Sequence, residues 1–356
     1  MAGAAAAGAP LAMATVPGLV SVIIVNWNGA RSLPEVLQAV RDQRYEPIEV
    51  IVVDNGSIDG SIASLEADPS VRLIKNTRNL GFAAANNQAL EVARGEFVLL
   101  LNNDAILTPD YVRALVADLK SDPRRGSACG KLLRPAEGSA VALIDSAGHV
   151  MYRNLWPTNR GEGEPDGPAF DSSMEVFGVC AAAGLYSRAM LDDVAIDGEV
   201  LDSTFFAYLE DVDLDWRARL RGWHSWYDAG AIAYHQRGGT GLWFSTRIQR
   251  HILKNRLLMG IKNEGGPDLY RRLPGIGAFT AAKAVQNLLT RPGALLGFVD
   301  VIRLLPSTMR KRRLIQASRR VEPAALERWY QPYPYRRKIR EGRLGRSRRV
   351  GEAVPR

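Results

Sequence analysis

The chain has 356 residues, of which 46% are hydrophobic and 24% are charged, a composition that excludes a disordered chain, a collagen and a small disulfide-stapled domain. Its 46 Lys and Arg against 38 Asp and Glu give a net charge of +8, and this charge is unevenly distributed. Residues 303–356 carry 17 basic and four acidic side chains, whereas the preceding residues carry more acidic than basic ones. The sequence therefore predicts a mildly acidic body followed by a strongly basic tail.

The N-terminus and the cysteines bear on cellular location. Residues 1–18 are rich in Ala and Gly and lack the basic start and apolar core of a signal peptide, so we expect a disordered leader. Cys129 and Cys180 are too few for a disulfide framework and are expected to be reduced, buried thiols of a cytoplasmic protein. Because no segment reaches the ~18 consecutive apolar residues of a membrane span, we expect a soluble protein or one attached to a membrane surface.

Apolar runs and helical periodicities alternate along the first third of the chain. The predicted strands cover residues 19–25, 48–53, 71–75 and 97–101, and the predicted helices cover residues 33–40 and 82–93. A third helix is expected to begin at Thr108-Pro109-Asp110, which supplies an N-cap, a proline at the first position and an early acid. Strands that are apolar on both faces and joined by helices indicate an α/β fold with a parallel, doubly wound sheet.

Polar residues and glycines follow each of the four predicted strands, at the edge where such sheets bind their ligands. They are Asn26 and Asn28, then Asp54, then Asn79, Gly81 and Asn87, and finally Asn102, Asn103 and Asp104. Any one of these clusters is explained equally well as ordinary turn chemistry, but four at one edge predict a ligand site. The first turn lacks the Gly-x-Gly-x-x-Gly pattern, which argues against a nicotinamide cofactor.

Residues 20–26, 52–61, 79–87 and 99–104 together resemble the nucleotide-sugar-binding half of the family 2 inverting glycosyltransferases, which have the GT-A fold. The resemblance continues in Phe-Phe-Ala-Tyr-Leu-Glu-Asp-Val-Asp-Leu at 205–214, and ends with Tyr234-His235 before a Gly-Gly-Thr stretch. It implies a Rossmann-like GT-A domain over residues 19–266 with a mostly parallel central sheet. The nucleotide-sugar half would cover 19–125, and the acceptor and catalytic half 126–266. Among family members, the sequence is most similar to bacterial enzymes that transfer rhamnose or galactofuranose in cell-envelope polysaccharide assembly.

The resemblance implies a divalent cation, Mg²⁺ or Mn²⁺, that neutralises charge on the leaving diphosphate. The family's acid-x-acid motif corresponds to Asn102-Asn103-Asp104, so Asp104 is the expected metal ligand and Asn102 a weaker or water-mediated one. His235 lies where some relatives supply a third ligand, although a histidine after a strand is as often a structural hydrogen-bonding residue.

An inverting transfer in one step needs a base that removes the proton of the attacking acceptor hydroxyl. The family's Glu-Asp pair at a helix start corresponds to Glu210 and Asp211, so Asp211 is the expected base with Glu210 beside it. Acids at a helix start are also ordinary partners of the helix dipole, and Arg217 could pair with Asp213 four residues away.

The same resemblance implies a donor pocket built from the polar strand ends. Asp54 is expected to hold the base or ribose beside Asn26 and Asn28, with Asn79, Gly81, Asn87, Asn103 and Asp104 around the diphosphate and sugar. Trp27 is expected either to cover the base or to lie in the core, and residues 178–184 to form a strand on the acceptor side. For Trp216, Trp223 and Trp226 a core position is favoured over a sugar subsite.

Beyond residue 266 the pattern changes to amphipathic helices (267–309), one of them bounded by Pro292 and Pro306, and then to a basic tail (310–356). Amphipathic helices followed by clustered Arg are typical of attachment to an anionic membrane surface, here the inner face of the cytoplasmic membrane. A solvated tail or a tail that binds RNA is the alternative.

The predicted function is inverting transfer of a sugar, with L-rhamnose from dTDP-rhamnose as first choice, to a polyprenyl-linked or cell-wall glycan acceptor. UDP-galactofuranose, then UDP-hexoses or UDP-N-acetylhexosamines, are the alternative donors. A basic nucleic-acid-binding protein is the non-enzymatic alternative, although no nucleic-acid partner is expected.

Overall fold

The computed structural model describes residues 15–335, except residues 64, 67, 135–140, 237–244 and 267. Its first half contains β1 (Val16–Asn26), α1 (Leu33–Arg41), β2 (Ile48–Asp54), β3 (Val71–Lys75), α2 (Phe82–Val92), β4 (Gly95–Asn102), β5 (Ala105–Leu107) and α3 (Tyr111–Ser121).

The four parallel strands predicted for the first half are confirmed. Strands β4, β1, β2 and β3 lie side by side in this order, and each neighbouring pair is parallel. Alternate residues of β1 face opposite layers, since Val22 and Ile24 pack in the layer of α1 and α3, whereas Ile23 packs in the layer of α2. Because both faces of each strand are covered, the strands show no polar face in the sequence.

Two predicted boundaries in this half are wrong. Strand β1 begins at Val16, inside the expected leader, and the Val16 amide donates to the carbonyl of Arg94 (2.8 Å). Helix α3 begins at Tyr111, and the Thr108 hydroxyl donates to the carbonyl of Ile232 (2.7 Å) instead of capping the helix. In both cases a contact with a residue distant in sequence overrides the local signal.

The second half extends the sheet with strands of both directions. It contains β6 (Arg125–Arg134), β7 (Leu143–Ser146), β8 (His149–Tyr152), β9 (Pro157–Asn159), β10 (Met174–Val176), β11 (Ala183–Ser187), α4 (Arg188–Val194), α5 (Glu210–Arg221), β12 (His224–His235), α6 (Thr246–Asn263), α7 (Leu269–Thr290), α8 (Leu296–Ser318) and β13 (Tyr330–Gln331). Strand β11 pairs antiparallel with β4, and the sheet continues through β6 and β12 to β10. Strands β8, β9 and β13 form a small second sheet.

Residues 178–182, predicted as part of a strand, form a loop, and β11 begins only at Ala183. Gly178 packs so closely on α5 that a Cβ atom there would lie 1.9 Å from Oδ2 of Asp215. The amides of Val179 and Ala181 donate to the carboxylates of Asp215 and Asp211, at 3.2 Å each. The loop is therefore bonded to the first turns of α5.

Helix α8 continues through Pro306 to Ser318, so the prediction that Pro306 ends it is wrong. The helix is held by pairs with the body on both sides of the proline, because Asp300 pairs with Arg250 (2.6 Å) and Lys311 with Asp202 (2.7 Å). Helical structure thus extends into the predicted basic tail, whose residues 336–356 lie outside the described residues. No helix in the described part of the chain combines the length and hydropathy that a membrane crossing requires.

Candidate active site

A cleft of about 540 Å³ lies beyond the carboxyl ends of β1, β2 and β4 and is closed on its far side by the starts of α5 and α6. Nine of the residues singled out in the sequence line it: Trp27, Asn79, Gly81, Asn102, Asn103, Asp104, Glu210, Asp211 and His235. The cleft thus lies at the sheet edge where parallel sheets usually bind ligands.

Asp104 and His235 meet because β5 pairs antiparallel with the end of β12, which sets Ala105 opposite His235. Asp104 Oδ1 lies 3.1 Å from His235 Nε2, and Asn102 Nδ2 lies 3.3 Å from the same nitrogen. His235 Nδ1 faces Oδ2 of Asp145 at 2.8 Å. Burial disfavours the charged imidazole, but the hydrogen bonds to Asp104 and Asp145 outweigh it and raise the pKa of His235 to about 10.

This donor set fits a divalent cation. Two oxygen or nitrogen ligands at about 2.1 Å from one ion, with perpendicular bonds, stand about 3 Å apart. The 3.1 Å between Asp104 Oδ1 and His235 Nε2 matches that separation. The other ring nitrogen of His235 contacts the carboxylate of Asp145. In metal sites, such a carboxylate commonly orients the imidazole that binds the metal.

The start of α5 presents Glu210 and Asp211 to the cleft from a strained segment. Phe206, Tyr208 and Leu209 have φ values of 68°, 73° and 70°, which cost roughly 1–2 kcal/mol each for residues with a Cβ atom. Asn255 of α6 compensates by donating to three carbonyls in this segment, at 2.6–3.0 Å: those of Phe205, Ala207 and Tyr208. Backbone strain from positive φ values is common near functional sites, where the backbone orients side chains toward a ligand.

The two acids at this helix start differ in environment. Burial, reinforced by the charge of Asp211, raises the pKa of Glu210 to about 8. Glu210 Oε2 is buried and has no hydrogen-bond partner among the described residues. Asp211 accepts hydrogen bonds from the amides of Ala181 (3.2 Å) and Val212 (2.8 Å). At neutral pH Glu210 is therefore mostly protonated, and Asp211 is the acid of this pair suited to accept a proton.

Asp211 also contacts a histidine that the sequence gave no reason to select. His149 Nε2 lies 3.5 Å from Asp211 Oδ2, and His149 Nδ1 lies 2.7 Å from Asp215 Oδ2. Both His149 and Asp215 are buried. Burial disfavours a charged ring, but the carboxylates of Asp211 and Asp215 raise the pKa of His149 well above its usual value.

Four residues predicted to bind the donor are not placed on the lining of the cleft. Asn26 is buried and donates to Asp54 (3.1 Å), while Asp54 accepts from the amides of Gly56 and Ser57, so both serve the turn after β2. Asn28 accepts from the amide of Ile58 (2.9 Å). Asn87 bonds to both backbone polar groups of Leu201, at 2.7 and 3.0 Å. Their side chains form hydrogen bonds within the chain, and a donor-binding role for these four positions stays a prediction.

Asn55 lines the cleft, whereas the neighbouring Asp54 does not. Its side chain donates to Asn79 Oδ1 and to the carbonyl of Gly81, both at 3.1 Å, and accepts from the amide of Leu80 (3.0 Å). Gly81 has φ 92°, and a Cβ atom there would lie 2.5 Å from the carbonyl oxygen of Phe206. Asn55 and Gly81 thus join the donor-side loops to the segment before α5.

The remaining predictions concern tryptophans, cysteines and the segment after His235. Trp27 lines the cleft, whereas Trp216 lies in the core. The indole nitrogen of Trp223 donates a hydrogen bond to Asp193. The guanidinium of Arg125 stacks on the ring of Trp226. Both cysteines are free thiols, but Cys180 is partly exposed in the cleft instead of buried. The Gly-Gly-Thr stretch at 238–240 lies outside the described residues.

Comparison with known proteins identifies a domain family. Residues 21–167 match the family model described as Glycosyl transferase family 2. Over these residues the chain carries a family 2 glycosyltransferase domain. The glycosyltransferase is 27% identical over 266 residues to the N-acetylglucosaminyl-diphospho-decaprenol L-rhamnosyltransferase of Mycobacterium tuberculosis, an alignment that covers 68% of this chain and 85% of the relative.

Solved structures share the fold of the glycosyltransferase at low sequence identity. One is the mannosyltransferase PcManGT from Pyrobaculum calidifontis in complex with GDP-Man and Mn²⁺, with a TM-score of 0.50, 18% identity and 87% of each chain covered. Another is S. aureus TarS 1–349 in complex with UDP-GlcNAc, with a TM-score of 0.51, 16% identity, and 84% of this chain and 86% of that chain covered. The GT-A fold, with a mixed central sheet followed by C-terminal helices, is thereby established.

Proposed function

We propose that the glycosyltransferase transfers a sugar with inversion from a nucleoside diphosphate donor to a lipid-linked or cell-wall glycan acceptor. The observation that carries this proposal is the meeting in one cleft of a cation-compatible pair, Asp104 and His235, and a carboxylate suited to act as a base, Asp211. Inverting transfer needs both: charge neutralisation at the leaving group and proton removal at the acceptor.

On the donor side, we propose that Asp104 and His235 hold Mg²⁺ or Mn²⁺, with Asn102 beside them. The cation would neutralise negative charge on the departing diphosphate. Asp145 keeps the His235 ring oriented, and the loops of Asn55, Asn79 and Gly81 form the wall beside the pair. The neighbouring structure with GDP-Man and Mn²⁺ supports a divalent cation.

On the acceptor side, we propose Asp211 as the base that takes the hydroxyl proton. The bonds from the Ala181 and Val212 amides fix its carboxylate at the helix start. Because Glu210 is mostly protonated at neutral pH, its side chain is mostly neutral and does not strongly repel the donor diphosphate. As a neutral acid in the cleft, it has a proton to donate in a hydrogen bond to a substrate oxygen.

We propose L-rhamnose from dTDP-rhamnose as the transferred sugar, with UDP-galactofuranose and UDP-hexose or UDP-N-acetylhexosamine as the alternatives. The mycobacterial relative, a rhamnosyltransferase whose name includes a diphospho-decaprenol acceptor, supports both rhamnose and a polyprenyl-linked acceptor. TarS, in complex with UDP-GlcNAc, supports a nucleotide-sugar donor without deciding its sugar. In the proposed division, residues 19–125 hold the nucleotide sugar and residues 126–266 the acceptor.

We further propose that the C-terminal region attaches the enzyme to an anionic membrane surface. Helices α7 and α8 leave large apolar side chains exposed, which we call the C-terminal apolar face: Val285, Leu288, Leu289, Leu296, Val299, Ile302 and Leu305. Exposed Arg303 and Arg313 lie on the same helix as the last four, and residues 336–356 add further basic side chains in the sequence. Apolar side chains flanked by cations suit an anionic lipid interface.

The proposed function is tested by release of nucleoside diphosphate from a panel of donors, measured with polyprenyl-diphosphate-linked acceptor and either Mg²⁺ or Mn²⁺. We expect turnover with dTDP-rhamnose that EDTA abolishes and that added Mn²⁺ restores. Turnover with only a different donor would change the proposed sugar but would still support the proposed transfer reaction. Absence of turnover with every donor and acceptor would contradict the proposal.

A further inference from the structure

The carboxylates on the two sides of the cleft contact the protein through the same kind of arrangement. Asp104 contacts His235, whose other nitrogen faces buried Asp145, and Asp211 contacts His149, whose other nitrogen faces buried Asp215. In each case an imidazole bridges a cleft-lining carboxylate to a buried one.

One short segment supplies a member of both bridges. Asp145 lies in β7 and His149 begins β8, only four residues later. The backbone at this turn is fixed on both sides, since the His149 amide donates to the carbonyl of Gly178 (2.8 Å) and the Ala147 amide to that of Arg160 (3.0 Å). The segment therefore supports the donor side and the acceptor side of the cleft together.

We propose that His149, held by Asp215, is a positioning residue for Asp211 and fixes the orientation of this carboxylate. The proposal rests on the proposed role of Asp211 as the base. His149 is buried, so its position is set by the protein and not by solvent. It acts through Asp211, in the way that a second carboxylate or imidazole commonly orients a reactive one.

The charge balance around His149 supports this role. The titratable groups that face it are Asp211, Asp215 and Glu210 from α5 and Cys180 from the loop before β11, with Tyr186 of β11 close to the same carboxylates. Three of these five groups are carboxyls, and a cation placed between two neighbouring carboxylates offsets their mutual repulsion. His149 is placed between Asp211 and Asp215, the two that it contacts.

A metal ion is the rival explanation of this cluster. One ligand atom each of His149, Cys180 and Asp211 lie within 4.8 Å of one another. A proton on Nε2 of His149 and an ion bound at the same nitrogen exclude each other, so the two explanations predict different behaviour. A bound ion would also occupy the Asp211 carboxylate that the proposed base needs.

The first test needs no activity. The chain has four histidines, so His149→Gln assigns the His149 resonances in side-chain ¹⁵N NMR spectra of the full-length protein. We expect His149 to be protonated on both nitrogens at pH 7, and its titration midpoint to fall in Asp211→Asn and in Asp215→Asn. A neutral ring, or a midpoint unchanged by both substitutions, would overturn the proposal. So would a tightly bound metal ion that is lost in His149→Gln but retained in Asp104→Asn.

The second test measures kinetics on the donor that wild type turns over. His149→Gln should lower kcat about 10–100-fold with little change in donor KM. His224→Gln, which replaces a partly buried histidine outside the cleft lining, is the matched control and should behave as wild type. A wild-type kcat in His149→Gln, or a kcat and donor KM that change together, contradicts the positioning role. Inactivity of wild type contradicts the proposed function and leaves the NMR result to decide this inference.

Discussion

At the scale of single residues, the cleft depends on side chains that act through others. Sequence motifs identified Asp104, Asp211 and His235 because these positions carry the family pattern. They did not identify Asp145 and His149, whose partners are 90 and 66 residues away in the chain. Such pairs arise from strand pairing and from packing of α5 on the 178–182 loop, neither of which a linear pattern contains.

The same limit applies to the predicted donor residues. Asn26 and Asp54 follow strands as predicted and bond to each other and to the next turn, whereas the neighbouring Asn55 lines the cleft. A shift of one residue at a strand end reverses the side on which a side chain lies. The sequence predicts polar residues at this edge of the sheet, but it does not predict which of them line the cleft.

Gly81→Ala tests the close contact between the donor loops and the segment before α5. Its Cβ atom would collide with the Phe206 carbonyl, and its positive φ adds strain, so we expect a loss of about 3 kcal/mol of unfolding free energy or more. Donor affinity should fall as well. Gly60→Ala is the control, because Gly60 has φ 79° and nothing within 4 Å of its Cβ position, and it should cost about 1 kcal/mol. Equal effects in urea unfolding of the two variants would show that the contact with Phe206 is unimportant.

At the level of secondary-structure elements, α6 and α8 pack against α5, the helix that begins with Glu210 and Asp211. Asn255 of α6 holds the strained carbonyls before α5, and Lys262 of α6 pairs with Asp213 of α5 (3.0 Å) and with Asp202. Lys311 of α8 pairs with the same Asp202 (2.7 Å). The sequence predicted an amphipathic helix in the region of α8 and a possible Arg217–Asp213 pair, but neither α6 nor this buried ionic cluster, whose members come from four separate segments.

Lys311→Ala tests the cluster. It leaves Asp202 with one cation fewer in a buried position, so we expect a loss of about 3 kcal/mol of unfolding free energy, measured by chemical denaturation. Arg313→Ala removes an exposed cation from the same helix and should change the unfolding free energy by less than about 0.5 kcal/mol. Similar values for the two variants would contradict the structural role of Lys311.

The cluster also predicts a pH dependence. Although burial opposes ionisation, Lys262 and Lys311 hold the pKa of Asp202 well below its usual value. Its contribution to stability is therefore complete above the pKa of the unfolded chain, near pH 4, and is lost progressively as the pH falls below it. Wild type should lose unfolding free energy between pH 4 and pH 2 more steeply than Asp202→Asn does. Parallel curves would contradict this assignment.

At the scale of the whole molecule, the charge of the chain divides between two tasks. The body, which is proposed to bind an anionic donor through a cation, is mildly acidic, whereas basic residues concentrate toward the C-terminus. The structure refines the predicted tail, because several of its basic side chains form ion pairs with the body, such as Arg310–Asp197 and Arg320–Asp193. The surface proposed for membrane contact is the C-terminal apolar face with its flanking arginines.

Liposome flotation of the full-length protein tests this surface. We expect binding to vesicles that contain anionic lipid, weakened by salt and lost or strongly reduced in the double variant Leu289→Asp and Ile302→Asp, whose side chains are 78% and 71% exposed. Ile58→Asp is the control, because Ile58 is 92% exposed but lies in the loop after β2. Binding that the double variant retains would exclude the C-terminal apolar face as the membrane contact.

In the proposed reaction, Asp211 takes the acceptor proton while Asp104 supports the donor side of the same cleft. The most direct test of this proposal compares turnover with donor binding in Asp211→Asn, using nucleoside diphosphate release and calorimetry with the donor and Mn²⁺. We expect turnover to fall at least 100-fold while donor affinity stays within about threefold of wild type, because general-base catalysis contributes about 10²–10⁴ in rate. Asp104→Asn should instead weaken binding of Mn²⁺ and donor. Wild-type turnover in a folded Asp211→Asn protein would contradict the account.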